Sequence, residues 1–157
     1  MTDQLTPDEK KLVEHAKKAI VQYNKMRHEK GGIDTLYSFL ISDSGEIFDG
    51  ACFETKIAQA MICGERHAIV NMVMDESYSA KIRSIVVADP VPEEQEHGTP
   101  PCGTCRHLIW QHGTPETTVI SLQYILQDKD WVFPKMEKYL ITELYPHPYE
   151  PKEGLWD

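Results

Sequence analysis

The run Ile82-Arg83-Ser84-Ile85-Val86-Val87-Ala88 is short, nearly continuous in apolar residues and rich in β-branched side chains. Such a run reads as a strand buried on both faces, in the middle of a sheet with cover above and below. The flanking sequence supplies that cover. Upstream, Cys63 to Met74 has helical periodicity through Ile69, Val70 and Val73; downstream, after a loop from Asp89 to Pro101 rich in Pro and Glu, Cys102 to Gln111 reads as a second helix stopped near His112-Gly113. Further out lie a β-rich run, Thr117 to Tyr124, and a strand candidate, Thr35 to Ile41, turning through Asp43-Ser44-Gly45 into Glu46-Ile47-Phe48. Thr6-Pro7-Asp8-Glu9 has the features of a helix start, with an N-cap hydroxyl, proline in the first turn and a glutamate closing a capping box. Leu12, Ala16, Ala19, Ile20, Tyr23 and Met26 then recur at helical spacing, so this helix is expected from about Pro7 to His28, ended by Gly31-Gly32. Asp128-Lys129-Asp130 reads as a turn and Lys135 to Leu144 as a short final helix. The order α-β-β-α-β-α-β, followed by a strand and a helix, predicts an α/β protein with a mixed sheet covered on both faces.

A chain of 157 residues is one domain's worth, and 1–157 is read as a single domain with a core of about 7–147 and a tail of 148–157. The net charge of −9, with no Lys/Arg cluster beyond short runs such as Lys10-Lys11 and Lys17-Lys18, makes nucleic acid an unlikely partner. No stretch approaches the roughly 20 apolar residues that span a bilayer, and Met1-Thr2-Asp3-Gln4 lacks a signal pattern, so a cytoplasmic location is expected. Cys52, Cys63, Cys102 and Cys105 are then thiols, and metal binding is the leading use for a cysteine cluster there.

Two of the expected helix starts carry chemistry. Cys63-Gly64-Glu65 is C-x-E, and Pro101-Cys102-Gly103-Thr104-Cys105 is P-C-x-x-C; together they match the pattern of zinc deaminases that use three cysteines. Three thiolates can hold Zn²⁺ tetrahedrally and leave a fourth position open for water, as a catalytic site requires. Orphan N–H groups and the positive dipole end at a helix start favour thiolates. Glu65, two residues past a ligand, is placed to handle protons without coordinating the metal. Three thiolates leave the site at −1, so a nearby cation is expected to draw density off a sulfur; Arg66 and Arg106 are the candidates. The same cysteines also admit a structural zinc site, closed by Cys52, His67, His97 or His107, or a redox pair. Glu65 separates these readings, because a structural site has no use for a carboxylate there.

The chain resembles the small, homotetrameric, three-cysteine branch of the cytidine deaminase family. The resemblance rests on Cys63-Gly64-Glu65-Arg66-His67-Ala68-Ile69 and Pro101-Cys102-Gly103-Thr104-Cys105-Arg106. Gly45-Glu46-Ile47-Phe48-x-Gly50, Val86-Val87-Ala88-Asp89 and Glu143-Leu144-Tyr145-Pro146 support it, and it covers about residues 10 to 147. It implies a three-layer α/β/α sandwich around a five-stranded mixed sheet and zinc on Cys63, Cys102 and Cys105. It also implies Glu65 as proton shuttle, a Gly64 N–H facing the pocket, and a homotetramer with active sites shared across interfaces. The expected activity is hydrolytic deamination of a cytidine-like nucleoside or related aminated heterocycle, with attack at the amino-bearing ring carbon by water activated on zinc and release of ammonia. A non-catalytic zinc protein that binds a ligand or partner on the same scaffold is the alternative.

The departures fall at the substrate side. The family usually reads G-x-N-V-E before the zinc helix; here Gly50-Ala51-Cys52-Phe53-Glu54 keeps the glutamate for sugar hydroxyls but puts Cys52 in the asparagine's place. Cysteine does not offer an amide's paired donor and acceptor. Asp34 stands near the position of an aromatic that packs by the base, and His107 replaces a common glutamine and is expected as a core or interface histidine. Tyr145, Tyr149 and Trp156 make an aromatic tail suited to assembly, and the acidic loop 89–101, with Asp89, Glu93, Glu94 and Glu96, is expected beside the pocket mouth.

Overall fold

Thr6 caps the first helix as its sequence requires: the side chain of Thr6 accepts from the Glu9 N–H, and Glu9 Oε2 accepts from the Thr6 N–H at 2.8 Å. The computed structural model describes residues 4–150 of the chain, in which α1 runs Pro7–Glu29. Gly31, at φ +77°, ends it in the left-handed region that glycine enters without steric cost. The strands and helices that follow are β1 (Tyr37–Ser42), β2 (Ile47–Ala51), α2 (Gly64–Asp75), β3 (Ile82–Pro90), α3 (Gly103–His112), β4 (Thr118–Gln127), β5 (Asp130–Val132), β6 (Met136–Leu140) and α4 (Ile141–Leu144), with a 3₁₀ turn at Ala58–Ala60.

The sheet is mixed and ordered β2-β1-β3-β4-β6. β1 is antiparallel to β2 and β3, β3 and β4 are parallel, and β6 returns antiparallel along Thr118–Leu122 of β4. The short β5 pairs with the far end of the same β4 edge, through a two-residue turn with Asp128 and Lys129 both at positive φ. Period-2 alternation divides the core between the two faces. Phe39, Ile41, Val86, Ala88, Ile120 and Leu122 pack against Leu12, Ala16 and Ile20 of α1. Leu40, Ile85, Val87 and Val119 pack against Ala68, Ile69 and Met72 of α2 and Ile109 of α3. This is the α/β/α sandwich around a five-stranded mixed sheet, and Ile82–Ala88 lies at its centre.

One expectation is corrected. Lys135 to Leu144 is not a single helix: Met136–Leu140 is strand β6 and only Ile141–Leu144 is helical. β4 would otherwise leave an edge of buried residues without backbone partners, and Met136 and Lys138 alternate with Glu137 and Tyr139 as a strand needs. Met136 packs on the α1 side of the core, and Lys138 reaches Glu9 at 2.8 Å. The opposite edge, β2, is managed differently. Asn71 Nδ2 of α2 donates to the Asp49 carbonyl at 2.9 Å, and His67 Nδ1 lies 3.2 Å from both the Ala51 N–H and its carbonyl. Side chains one helical turn apart therefore cover backbone groups of an edge strand. Trp156, part of the expected aromatic tail, lies outside the described residues.

Candidate metal centre

Gly50 lets the two layers meet where the site forms. A Cβ there would stand 2.2 Å from the Gly64 carbonyl and 2.4 Å from the Ala68 nitrogen, so only glycine admits this approach of α2 to β2. The start of α2 is thus seated directly on β1 and β2. Cys63 is the N-cap residue of α2 and Cys102 that of α3, both extended, and Cys105 follows in the first turn of α3. β2 and β3 are both antiparallel to β1 and so run the same way, which puts the start of α2 and the loop before α3 at the same end of the sheet. As a result the sulfurs of Cys63, Cys102 and Cys105 lie within 4.8 Å of one another. Cys105 is buried, Cys63 half-buried and Cys102 exposed, so the cluster opens to one side.

The electrostatics of the cluster favour a cation. Burial raises the pKa of Cys105, and the charges of Glu65 and Cys63 push it further in the same direction. Burial also opposes ionisation of Cys102, but the backbone N–H and thiol of Cys105 and the Thr104 N–H outweigh it and bring its pKa below the ordinary thiol value. Glu65 is 7% exposed, and burial holds its carboxyl above the usual range against its own backbone N–H, Cys105, Arg66 and Ser38. Four acidic groups facing one point repel each other as anions. A metal ion among the three sulfurs relieves that repulsion, and the donor set fits one.

Both arginines are engaged with backbone. Arg66 Nη2 donates to the Met61 carbonyl at 2.9 Å, and Arg106 Nε donates to the Pro101 carbonyl at 2.8 Å. Each reaches back five residues and ties down the segment entering its own cysteine. Arg106 Nη1 also holds the Leu144 carbonyl at 2.9 Å, fixing α4 against α3. No donation from either to a sulfur is formed among the described residues, and Arg66 Nε is buried with no partner.

The remaining candidates separate by place. Cys52, at the end of β2, is half-buried and close enough for Glu54, Cys63 and Glu65 to add to burial in raising its pKa, yet it lies outside the three-sulfur cluster. A bridge between Phe53 and Ile62 folds the intervening loop back and leaves Glu54 exposed near the site. Asp34 is tied to the end of α1 by His28 Nε2 at 2.6 Å and to β5 by Trp131 Nε1 at 3.1 Å. His107 packs against Trp110, Tyr145 and Tyr149, with its Nδ1 3.2 Å from the Tyr145 hydroxyl. His97 is exposed beside Glu137, and His67 faces the β2 edge. None of the three histidines joins the cluster among the described residues. Ser38, which the sequence reading passed over, lies against the first turn of α2.

No family model and no curated protein matches the sequence. Solved structures do match the fold. A cytidine deaminase from Burkholderia pseudomallei superposes with a TM-score of 0.61 at 20% identity, covering 84% of this chain and 98% of that one. One from Mycobacterium tuberculosis gives 0.53 at 15% identity, covering 74% and 80%. One from Bacillus anthracis gives 0.50 at 18% identity, covering 85% and 89%. The chain therefore has the cytidine deaminase fold, with a three-cysteine cluster in it that can hold a metal ion.

Proposed function

We propose that this protein is a zinc-dependent hydrolytic deaminase acting on a cytidine-like nucleoside or a related aminated heterocycle. The observation that carries the reading is the convergence of three cysteine sulfurs beside a buried glutamate, with Cys52 and the histidines outside the cluster. A structural zinc site would close its sphere with a fourth cysteine or histidine. In this reading Cys63, Cys102 and Cys105 hold the zinc, which when bound supplies a Lewis acid that lowers the pKa of water to about 7. Glu65 takes a proton from the attacking water, passes it to the ring nitrogen beside the reacting carbon, and later delivers a proton to the departing amine. Its burial keeps bulk water from competing for that proton. Gly64 presents its N–H toward the pocket, and Cys52 and Glu54 line the side that receives the sugar. Arg66 and Arg106 keep the cysteine-bearing turns in place.

In the same reading the chain is a single domain and cytoplasmic, as its length and its lack of a signal pattern led us to expect, and a homotetramer, as the resemblance implies. Exposed apolar side chains around the site, Phe53, Ile57 and Ile62, and on the outer face of α2, Val70 and Met74, support an assembly. No helix among the described residues is long and apolar enough to cross a membrane. The test combines metal analysis with ammonia release from cytidine, deoxycytidine, methylated cytosines and aminated purines. One zinc per chain with turnover of at least one of these is expected; zinc without any ammonia release overturns the deaminase.

A further inference from the structure

On the face of β4 where Val119 joins the core under α2 and α3, the next two side chains are polar. Ser121 and Gln123 are nonetheless buried, at 1% and 0% exposure. Their partners are backbone groups of the loop between β3 and α3. Gln123 Nε2 donates to the Gln95 carbonyl at 3.2 Å and to the His97 carbonyl at 2.8 Å, while its Oε1 accepts from the Gln95 N–H at 3.3 Å. The Ser121 hydroxyl donates to the Thr99 carbonyl at 3.2 Å. Glu137, directly opposite Ser121 on β6, accepts from the Gly98 N–H at 2.6 Å. A Cβ on Gly98 would stand 2.2 Å from Ser121 Oγ and 2.9 Å from its Cβ, so a glycine lets the loop lie this close to the sheet.

The loop so held ends at a cysteine of the cluster. Thr99 is tied a second time, through its hydroxyl, to Asp89 at the end of β3. Only Pro100 and Pro101 separate it from Cys102. Proline fixes its own φ near −65°, and Arg106 Nε holds the Pro101 carbonyl at 2.8 Å, so this link transmits the position of Thr99 with little slack. Cys102 is also the exposed member of the three, the one whose place burial does least to fix. We infer that Gln123, Ser121 and Glu137 are positioning residues for Cys102, holding the loop so that its sulfur already faces Cys63 and Cys105 before a metal ion arrives. A ligand ordered in advance costs less conformational entropy on binding, and partners behind a ligand typically govern about 10–100-fold in metal affinity. The inference rests on the three-cysteine metal centre of the proposed reading and needs no deamination.

The test titrates the full metal-free chain with Co²⁺ and reads the thiolate-to-cobalt absorption, alongside urea unfolding of the same metal-free proteins. Glu137 lies on the edge strand β6 and is half-buried, so its variants are the least exposed to folding failure. Glu137→Leu removes the acceptor for Gly98 and is expected to weaken cobalt binding about tenfold. Glu137→Gln keeps an acceptor oxygen and is expected to restore most of that affinity. Gln123→Leu, which removes three hydrogen bonds to the loop, is expected to weaken it further; should that variant fail to fold, the Glu137 pair still decides. Ile41→Val, in the core under α1, serves as a destabilised control and is expected to bind cobalt within about twofold of the parent. Parental cobalt affinity in Glu137→Leu, or a loss no larger than that of Ile41→Val at similar stability, overturns the positioning role and leaves the metal centre standing. A parent that binds no cobalt overturns the metal centre and this inference with it.

Discussion

Glu65 and Cys102 both stand at the start of a helix, one in the first turn of α2 and one at the cap of α3, yet removing their function has different consequences. Glu65→Gln keeps the shape and loses only the titrating oxygen, so the variant is expected to retain one zinc per chain. Its ammonia release should fall by about 10²–10⁴, the usual worth of a positioned acid–base group. Unchanged turnover in that variant would remove Glu65 from the chemistry. Cys102→Ala deletes a sulfur from the cluster, and because metal binding is coupled to folding, both zinc content and melting temperature should fall together. Elemental analysis and thermal unfolding with and without chelator check this. At this scale the sequence is most transparent, since C-x-E and P-C-x-x-C mark the cysteines and the carboxylate by chemistry alone. Ser38 was hidden for the opposite reason. Its neighbours Tyr37 and Phe39 mark a strand, but nothing in the linear sequence tells which helix lies over the serine. The arginines illustrate a third case: a cation directly after Glu65 and another directly after Cys105 are visible, but the choice of a carbonyl five residues back depends on the bend of each entering loop.

Among the elements, the amino-terminal turn of α1 ties the molecule together through one carboxylate. Glu9 accepts from the Thr6 N–H, from the Thr118 hydroxyl of β4 at 2.7 Å and from Lys138 of β6 at 2.8 Å. Burial alone would raise its pKa, but Lys138, Thr6 and Thr118 outweigh it and the carboxyl lies below the ordinary glutamate value. A carboxylate with a depressed folded pKa stabilises the fold above its unfolded pKa and loses that contribution as pH falls through the folded one. Urea midpoints should therefore decline as pH drops below about 4.5. Glu9→Gln should be less stable than the parent at pH 7, and the gap should narrow through that acid window. A gap independent of pH would assign Glu9 a purely steric role. The capping box was readable in Thr6-Pro7-Asp8-Glu9, whereas β4 and β6 as the other partners were not, because β6 was read as helix. Its short alternation became a strand only through the free edge of β4, a tertiary demand that local propensity does not carry. The contact of α2 with β2 makes a second element-scale prediction. Gly50→Ala drives a methyl into the Gly64 carbonyl and the Ala68 nitrogen, both backbone atoms that cannot swing away. The expected cost is about 1–3 kcal/mol or more, with weakened zinc retention because the displaced turn carries Cys63. Chemical denaturation and metal titration read the two effects, and a variant with parental stability and zinc affinity would refute the close seating of α2.

Over the whole molecule, the net charge of −9 includes a run of carboxylates on the loop that leads into the second pair of cysteines. Loop 91–101 leads directly from β3 to Cys102, and it is held down rather than loose. Gln123 Nε2 donates to the Gln95 and His97 carbonyls at 3.2 and 2.8 Å, Gly98 N–H donates to Glu137 at 2.6 Å, and the Ser121 hydroxyl donates to the Thr99 carbonyl at 3.2 Å. Asp89 is taken up by the Thr99 hydroxyl, which leaves Glu93, Glu94 and Glu96 exposed as fixed negative charges. The arginines nearest the cluster, Arg66 and Arg106, already serve backbone carbonyls and do not form a phosphate clamp. Carboxylates fixed beside the pocket mouth, where the tether to Cys102 is expected to hold this loop, would repel an approaching dianion over roughly the Debye length, about 8–10 Å at physiological ionic strength. The expected outcome is a higher kcat/KM for a nucleoside than for its 5′-monophosphate, with the difference shrinking as salt is raised. Glu93→Gln/Glu94→Gln/Glu96→Gln should shrink it in the same way at low salt, without changing kcat for the nucleoside. The measurement is kcat/KM for both substrates at two ionic strengths in parent and triple variant. Equal values in the parent at low salt, or a preference for the monophosphate, would place the acidic loop away from the substrate's path.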